Sequence, residues 1–307
     1  MTGGAGFIGA NLVRALAGQP WCDRLTLIDD LSSGSLDNLA SFDAGPLLEG
    51  SILDSALLDR ALAGADAVVH LAARPSVARS VAEPVVSHEV NASGTVAVLE
   101  AMRRADVGHI LVSSSSSVYG ANPMLPKRED MVAMPVSPYA ASKLAAESYA
   151  LAWAAVYGLD VLAFRFFNVF GPLQAADHAY AAVVPAFLSA ALDKRPLPLH
   201  GDGSQSRDFT FVGTVVDILV DALCRRVCLD RPVNLAFGSR VTLLELIARL
   251  EVILGRDLDV EHLPRRPGDV AASSADGTQL LKLFPDVQPV SLATGLAETL
   301  EWFQSRS

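Results

Sequence analysis

Four short β-branched or aliphatic runs, at residues 25–28, 67–71, 110–113 and 161–166, alternate with longer helical stretches over the first 170 positions or so. Each run is bounded by turn signals and reads as a strand buried on both faces. Buried strands separated by helices require a parallel sheet wrapped by helices on both sides, because a parallel connection must cross over the sheet. Beyond residue 170 the spacing becomes irregular and turn residues cluster at Gly171 and Pro172, at 201–203 and at 264–268. That pattern predicts a smaller second part built from loops and short elements. Ligands of open α/β sheets sit at the carboxyl ends of the strands, so the cleft is expected between the two parts.

The chain opens on Thr2-Gly3-Gly4-Ala5-Gly6-Phe7-Ile8-Gly9. Glycines at 3, 6 and 9 let a backbone turn sharply, approach a pyrophosphate and pack the following helix closely on the sheet. Asp29 lies 20 residues after Gly9, at the end of the next predicted strand, where a carboxylate accepts hydrogen bonds from an adenosine ribose. Asp29 and Asp30 together repel a 2′-phosphate, and no basic residue follows them up to Asn38, which favours NAD over NADP. A phosphate loop of this kind needs a strand before it, and none precedes Gly3 here. The expectation is therefore a truncated or misassigned start, with roughly six to ten further residues, one ordinary strand, in the working protein.

A second pattern places Tyr139 and Lys143 one helical turn apart, behind Ser137 as a cap and Pro138 as the first helical residue. A free tyrosine titrates at about pH 10, and a neighbouring ammonium together with an oxidised nicotinamide favours its phenolate, so Tyr139 becomes a usable base. Upstream, five consecutive serines, 113–117, end the third predicted strand and bring hydroxyls to the same carboxyl edge. Composition bounds the partners. A net charge of −10 with no Lys/Arg block argues against nucleic acid, and no apolar run approaches a membrane span. Cys22, Cys224 and Cys228 form an odd set without a secretory leader, read as buried, inert thiols in a reducing cytosol. Cys224 and Cys228 share i, i+4 spacing on a predicted helix, but no partner pair with metal-ligand spacing accompanies them.

Taken in order, Thr2 to Gly9, His70-Leu71-Ala72-Ala73, Tyr139 to Lys143, Arg165-Phe166-Phe167-Asn168-Val169-Phe170-Gly171-Pro172, and Gly201-Asp202-Gly203 leading to Arg207-Asp208-Phe209-Thr210 resemble the NDP-sugar epimerase/dehydratase family of extended short-chain dehydrogenases. Among its members the chain is most similar to the UDP-glucose and UDP-N-acetylglucosamine 4-epimerases. The resemblance implies a Rossmann-type doubly wound α/β sheet with a smaller C-terminal α/β substrate domain. It places the NAD-binding domain at 1–167 and 210–238, and the nucleotide-sugar-binding domain at 168–209 and 239–307. It makes Ser115, Tyr139 and Lys143 catalytic, with Ser115 bonding the sugar O4. Gly3, Gly6, Phe7, Ile8, Gly9, Asp29, Ser51, Ile52, Leu71, Ala72, Ala73, Asn91, Tyr139, Lys143 and Phe166 would hold NAD, Asn91 and Lys143 at the nicotinamide ribose. Asn168 and Arg207 would contact the substrate diphosphate, Arg266 and Asp269 its diphosphate and ribose, and Ser273 the group at C2 of the sugar. Guanidinium groups suit that task because they bind phosphate oxygens bidentately. Two departures stand out. Ser51 replaces the family's usual adenine-binding aspartate, and acidic residues common near 211–214 are absent, leaving Thr214 as the expected cap of the next helix.

Among reactions, the resemblance favours epimerisation at C4 through a transient 4-keto sugar, with NAD retained throughout. A 4,6-dehydratase would need an Asp-Glu pair after Ser115, where this chain has Ser116 and Ser117. The family also holds UDP-glucuronate 4-epimerases, and a non-catalytic NAD-binding sensor or scaffold would need the same cofactor loop. Serine at 273 leaves room for an N-acetyl group, residues 180–185 resemble the N-acetylhexosamine branch, and no arginine near Ala175 meets a sugar carboxylate. The expected order is UDP-N-acetylglucosamine and UDP-glucose ahead of UDP-glucuronate. The stretch from Tyr139 to Tyr157 is apolar around more than one helical face, and with the family's helix bundle this implies a homodimer.

Overall fold

Burial on both faces governs where the strands form. The computed structural model describes residues 1–40, 45–176, 181–265, 270 and 272–306. The glycine cluster leads into α1 (Phe7–Leu16), followed by β1 (Leu27–Asp29), β2 (Leu47–Glu49), α2 (Ser55–Leu62) and β3 (Val68–His70). Two short helices, α3 (Val77–Ala82) and α4 (Pro84–His88), run through a π turn (Glu89–Ser93) into α5 (Gly94–Arg104). Then come β4 (His109–Ser115), α6 (Pro138–Tyr157) and β5 (Asp160–Phe166). The remainder is β6 (Val169–Phe170), α7 (Val183–Leu192), β7 (Leu197–His200), β8 (Ser206–Arg207), β9 (Thr210–Phe211), α8 (Val212–Cys224), β10 (Val233–Leu235), β11 (Val241–Thr242), α9 (Leu243–Leu254), β12 (Val260–Leu263), α10 (Thr278–Leu283) and α11 (Leu292–Gln304).

The main sheet is parallel throughout, with β10, β5, β4 and β3 adjacent in that order and β1 paired with β2. Between β1 and β3 stands Thr2, bridged in the parallel sense to both Ile28 and His70. Its amide donates to Val69 O at 3.0 Å and its carbonyl accepts from Leu71 N at 3.1 Å. The position expected for the first strand is thus held by Met1 and Thr2. All four sequence-predicted strands are present within two residues of their expected limits. β2 and β10 were not anticipated, since three residues are too few to show a period and buried Asn234 interrupts the apolar pattern of β10.

Alternation along β4 and β5 shows how both faces are filled. Ile110, Val112 and Val161 face α2, α5 and α6, packing with Leu58, Val98, Leu99, Met102 and Ala150. Leu111, Leu162 and Phe164 point the other way, towards Leu12 and Leu16 of α1 and Val215, Ile218 and Leu219 of α8. That second core continues without a break into Phe187, Leu199, Leu246, Leu250 and Leu296, so the C-terminal part is packed onto the sheet. Here the expectation of loops and short elements needs correction: α7, α8, α9 and α11 are helices of 10 to 13 residues. α9 is started by a reciprocal Thr242/Glu245 capping box and stopped by Gly255 in the left-handed region.

Two smaller expectations are also corrected. α8 ends at Cys224, so Cys228 lies beyond it, and both thiols are exposed, with Cys22 partly so. The turn at Arg226, with φ of 50°, takes the chain out of helical register before Cys228. Thr214 does not cap α8: Phe211 occupies the cap position, and the Thr214 hydroxyl accepts from Val290 N at 3.0 Å.

Candidate active site

The strands of the main parallel sheet present their carboxyl ends on one edge, and the cleft opens there, with a volume of about 1090 Å³. α6 delivers the chemistry to it. The Ser137 hydroxyl accepts from Ala140 N at 3.1 Å, Pro138 takes the first helical position, and Gly158 closes the helix at φ of 72°. Tyr139 and Lys143 therefore stand one turn apart, and both line the cleft with Ser115.

The serine run is sorted by geometry into distinct tasks. Ser113 Oγ accepts from Lys143 Nζ at 3.1 Å, and Ser114 Oγ donates to Glu147 Oε2 at 2.6 Å. Ser115 Oγ accepts from Ser117 N and Ser117 Oγ at 3.2 and 2.9 Å. Burial pushes the Tyr139 phenol above its ordinary pKa, and its hydrogen bond with Ser115 pulls the other way. Lys143 is 4 % exposed, and desolvation lowers its ammonium to about 8.

Beneath this surface lies a buried ion pair that the sequence reading missed. Glu147, one turn beyond Lys143, accepts from Arg165 Nε at 2.9 Å and from Nη2 at 2.6 Å, both side chains being at most 5 % exposed. The Arg165 guanidinium also stacks over the Tyr119 ring at 4.7 Å. The available signal was the arginine inside a run that otherwise read as a buried strand, since a buried charge needs a partner. Asp208 was missed as well. Its carboxylate gathers the amides of Gly238, Ser239 and Ala275 and the Ser239 hydroxyl at 2.8 to 3.1 Å, fixing the loops around Arg207.

At the cofactor end, Gly3 has φ of 74°, and a Cβ there would stand 2.7 Å from Ala72 N. A Cβ on Gly9 would stand 2.0 Å from Gly3 O, so only glycine permits this turn. Gly6 caps α1 without a side chain, leaving the first-turn amides for an anion. Asp29 accepts from Ala5 N and Leu31 N, each at 2.9 Å. The Gly6 amide also bonds this carboxylate, which braces the glycine turn and keeps acceptor capacity for a ribose. Gly3, Gly6, Asp29, Ser51, Ile52, Leu71, Ala72 and Ala73 line one recess. Gly3, Gly6, Leu71 and Ala73 belong equally to the large cleft, together with Phe7, Ile8, Gly9 and Phe166. An elongated dinucleotide fits this continuous channel, with acceptors at one end, uncapped amides in the middle and Lys143 at the other.

Asn168, Arg207 and Ser273 line the same cleft. Arg207 and Ser273 are 9 % and 6 % exposed, and Asn168 sits at φ of 29° with Nδ2 donating to Asp208 O at 3.2 Å. Asn91 is placed differently. It is 1 % exposed, lines neither the cleft nor the recess, and bonds Arg74 and Ser142. Arg266, Asp269 and Tyr180 lie outside the described residues.

Comparison with known proteins agrees with this geometry. A model of the NAD dependent epimerase/dehydratase family matches residues 1–235. The chain is 37% identical to a UDP-glucose 4-epimerase of Mycolicibacterium smegmatis, covering 100% of this chain and 98% of that one. It is 33% identical to a dTDP-glucose 4,6-dehydratase of Streptomyces niveus, over 99% and 92% of the two chains. The solved UDP-N-acetylglucosamine 4-epimerase of Methanobrevibacter ruminantium, in complex with UDP-N-acetylmuramic acid, superposes with a TM-score of 0.92 at 37% identity, covering 100% of this chain and 97% of that one. By its sequence match and its fold alike, the chain belongs to the NAD-dependent epimerase/dehydratase family.

Proposed function

We propose that the protein interconverts UDP-sugars at C4, favouring UDP-N-acetylglucosamine and UDP-glucose over UDP-glucuronate, with NAD as its resident cofactor. The observation that carries this reading is the convergence of Ser115, Tyr139 and Lys143 in one cleft while Ser116 and Ser117 occupy the next two positions. A dehydratase must also move a proton at C5 and protonate a leaving hydroxide, and two serines do not supply that acid/base pair near neutral pH.

When bound, NAD supplies oxidation and re-reduction at C4. Gly3, Gly6, Phe7, Ile8, Gly9, Asp29, Ser51, Ile52, Leu71, Ala72, Ala73 and Phe166 would hold it, with Tyr139 and Lys143 at its nicotinamide end. Tyr139 Oη would accept the proton of the C4 hydroxyl and return it to the same oxygen once the 4-keto sugar has turned its other face to the cofactor. Ser115 orients that hydroxyl, and the Lys143 ammonium steadies the phenolate. Asn168, Arg207, Arg266 and Asp269 would keep the nucleotide diphosphate and ribose anchored while the sugar turns over. The division of labour we propose assigns cofactor binding to 1–167 and 210–238, and substrate binding to 168–209 and 239–307.

We also propose a cytosolic homodimer. The outer face of α6 exposes Tyr149, Val156 and Tyr157 at 45%, 70% and 51%, beside Val85 of α4 at 66%, an apolar face suited to a second copy. The test of function is NMR of products from UDP-N-acetylglucosamine, UDP-glucose, UDP-glucuronate and dTDP-glucose. Epimers of the first two are expected. A 4-keto-6-deoxy product, or turnover of UDP-glucuronate alone, would overturn the reading.

A further inference from the structure

His70 lies at the end of β3 and is 2 % exposed. Its Nδ1 is 2.8 Å from Thr2 Oγ1 and its Nε2 is 2.9 Å from Thr95 Oγ1. Neither distance alone says which nitrogen carries the proton, but the surrounding bonds do. Thr95 Oγ1 lies 2.6 Å from Asn91 O, and a carbonyl only accepts, so the single hydroxyl proton of Thr95 is directed there. Towards His70, Thr95 can then only accept, and Nε2 must carry hydrogen. Burial and the nearby Lys143 charge lower the imidazole to about 3, so the ring is neutral and Nδ1 is bare. Nδ1 accordingly accepts from the Thr2 hydroxyl, whose oxygen in turn accepts from Ala72 N at 3.3 Å.

A directed chain results: Ala72 N–H to Thr2, Thr2 to His70, His70 to Thr95, and Thr95 to the Asn91 carbonyl. From Asn91 it continues through the side chain, with Nδ2 donating to Ser142 Oγ at 3.0 Å and Ser142 donating to Tyr139 O at 2.8 Å. Asn91 is clamped in that role, because its Oδ1 accepts from Arg74 N at 2.7 Å. Ala72 belongs to the recess beside the glycine turn, and Tyr139 to the opposite end of the channel.

We propose that His70 is a positioning residue, locked as its neutral Nε2–H tautomer, whose relay through Thr95, Asn91 and Ser142 sets the first turn of α6, and with it Tyr139, at a fixed place relative to the glycine loop. The proposal rests on Tyr139 being the catalytic base. Removing one member without changing its shape should loosen the placement of Tyr139 while leaving the substrate anchors untouched. Thr95→Val is such a change, and Thr95→Ser keeps the hydroxyl.

The test uses the full chain with 15N-labelled histidine, identifying the His70 signals as those moved by Thr95→Ser. An Nε2–H pattern that does not titrate from about pH 5 to about pH 8 is expected. An Nδ1–H pattern, or titration within that window, overturns the proposal, whether or not Thr95→Val folds. In parallel, Thr95→Val is expected to lose about 10- to 100-fold in kcat per folded molecule, with KM for the UDP-sugar within about threefold and Thr95→Ser restoring turnover to within about threefold. A Thr95→Val protein that is less stable but has kcat within about threefold of wild type assigns the relay to stability alone and refutes it. Tyr139→Phe separates the two readings. If it keeps wild-type turnover, the functional assignment fails while the tautomer can still be read; if it is inactive beside an unimpaired Thr95→Val, only the relay fails.

Discussion

Replacing Glu147 by leucine removes one half of a charge pair that is at most 5 % exposed and joined by two direct bonds, with a third from Ser114. Arg165 would be left with its guanidinium against the Tyr119 ring, a bond with the Tyr119 side chain and one to Glu129 O at 3.4 Å, none of which neutralises it. Breaking a buried pair from one side costs about 3 to 5 kcal/mol. At about 2 °C per kcal/mol for a chain of this size, the melting temperature should fall by about 6 to 10 °C. Converting Arg165 to methionine as well removes the orphaned charge and keeps most of the volume, so the double variant should recover to within about 1 to 2 kcal/mol of wild type. Urea unfolding followed by tryptophan fluorescence reads all three proteins. The reasoning is refuted if Glu147→Leu costs less than about 1 kcal/mol, or if the double variant is less stable than the single one, since either result denies that desolvation of an unpaired charge dominates.

Other predictions concern the cleft itself. Tyr139→Phe should retain NAD and the UDP-sugar but lose about 10² to 10⁴ in kcat, checked by dinucleotide content and product NMR. Lys143 binds its proton less tightly folded than unfolded, so between about pH 8 and its ordinary value of about 10.4 the unfolded state holds the extra proton and stability rises with pH. Relative to Lys143→Met, the cofactor-free wild type should therefore gain roughly 3 kcal/mol or less across that window, measured from denaturation midpoints, and a difference that falls with pH contradicts the assignment. Ser273, 6 % exposed and lining the cleft, should on conversion to tyrosine lower kcat/KM for UDP-N-acetylglucosamine far more than for UDP-glucose, overpacking at about 1 to 3 kcal/mol. Equal losses for both sugars would remove Ser273 from the C2 pocket.

What the sequence determined by itself is what local spacing controls. Runs at 110–113 and 161–166 are strands because, Ser113 and Arg165 apart, they are apolar on both faces, and β4 and β5 form there. Gly3, Gly6 and Gly9 specify the turn because a Cβ at the first or last would strike backbone, at Ala72 in one case and at Gly3 in the other. Ser137, Pro138, Tyr139 and Lys143 lie within two turns of one helix, so their order already sets the cap, the base and its ammonium on one face. Tertiary structure decided everything that depends on which element crosses which. Five identical serines carry no label in the sequence. Only α6 crossing the end of β4 gives Ser113 to Lys143, Ser114 to Glu147 and Ser115 to Tyr139. Asn91 lies below the cleft, in a relay built from residues as far apart as Thr2 and Ser142. The proton affinities of Tyr139 and Lys143 likewise follow from burial, a property of packing that no short stretch of sequence records.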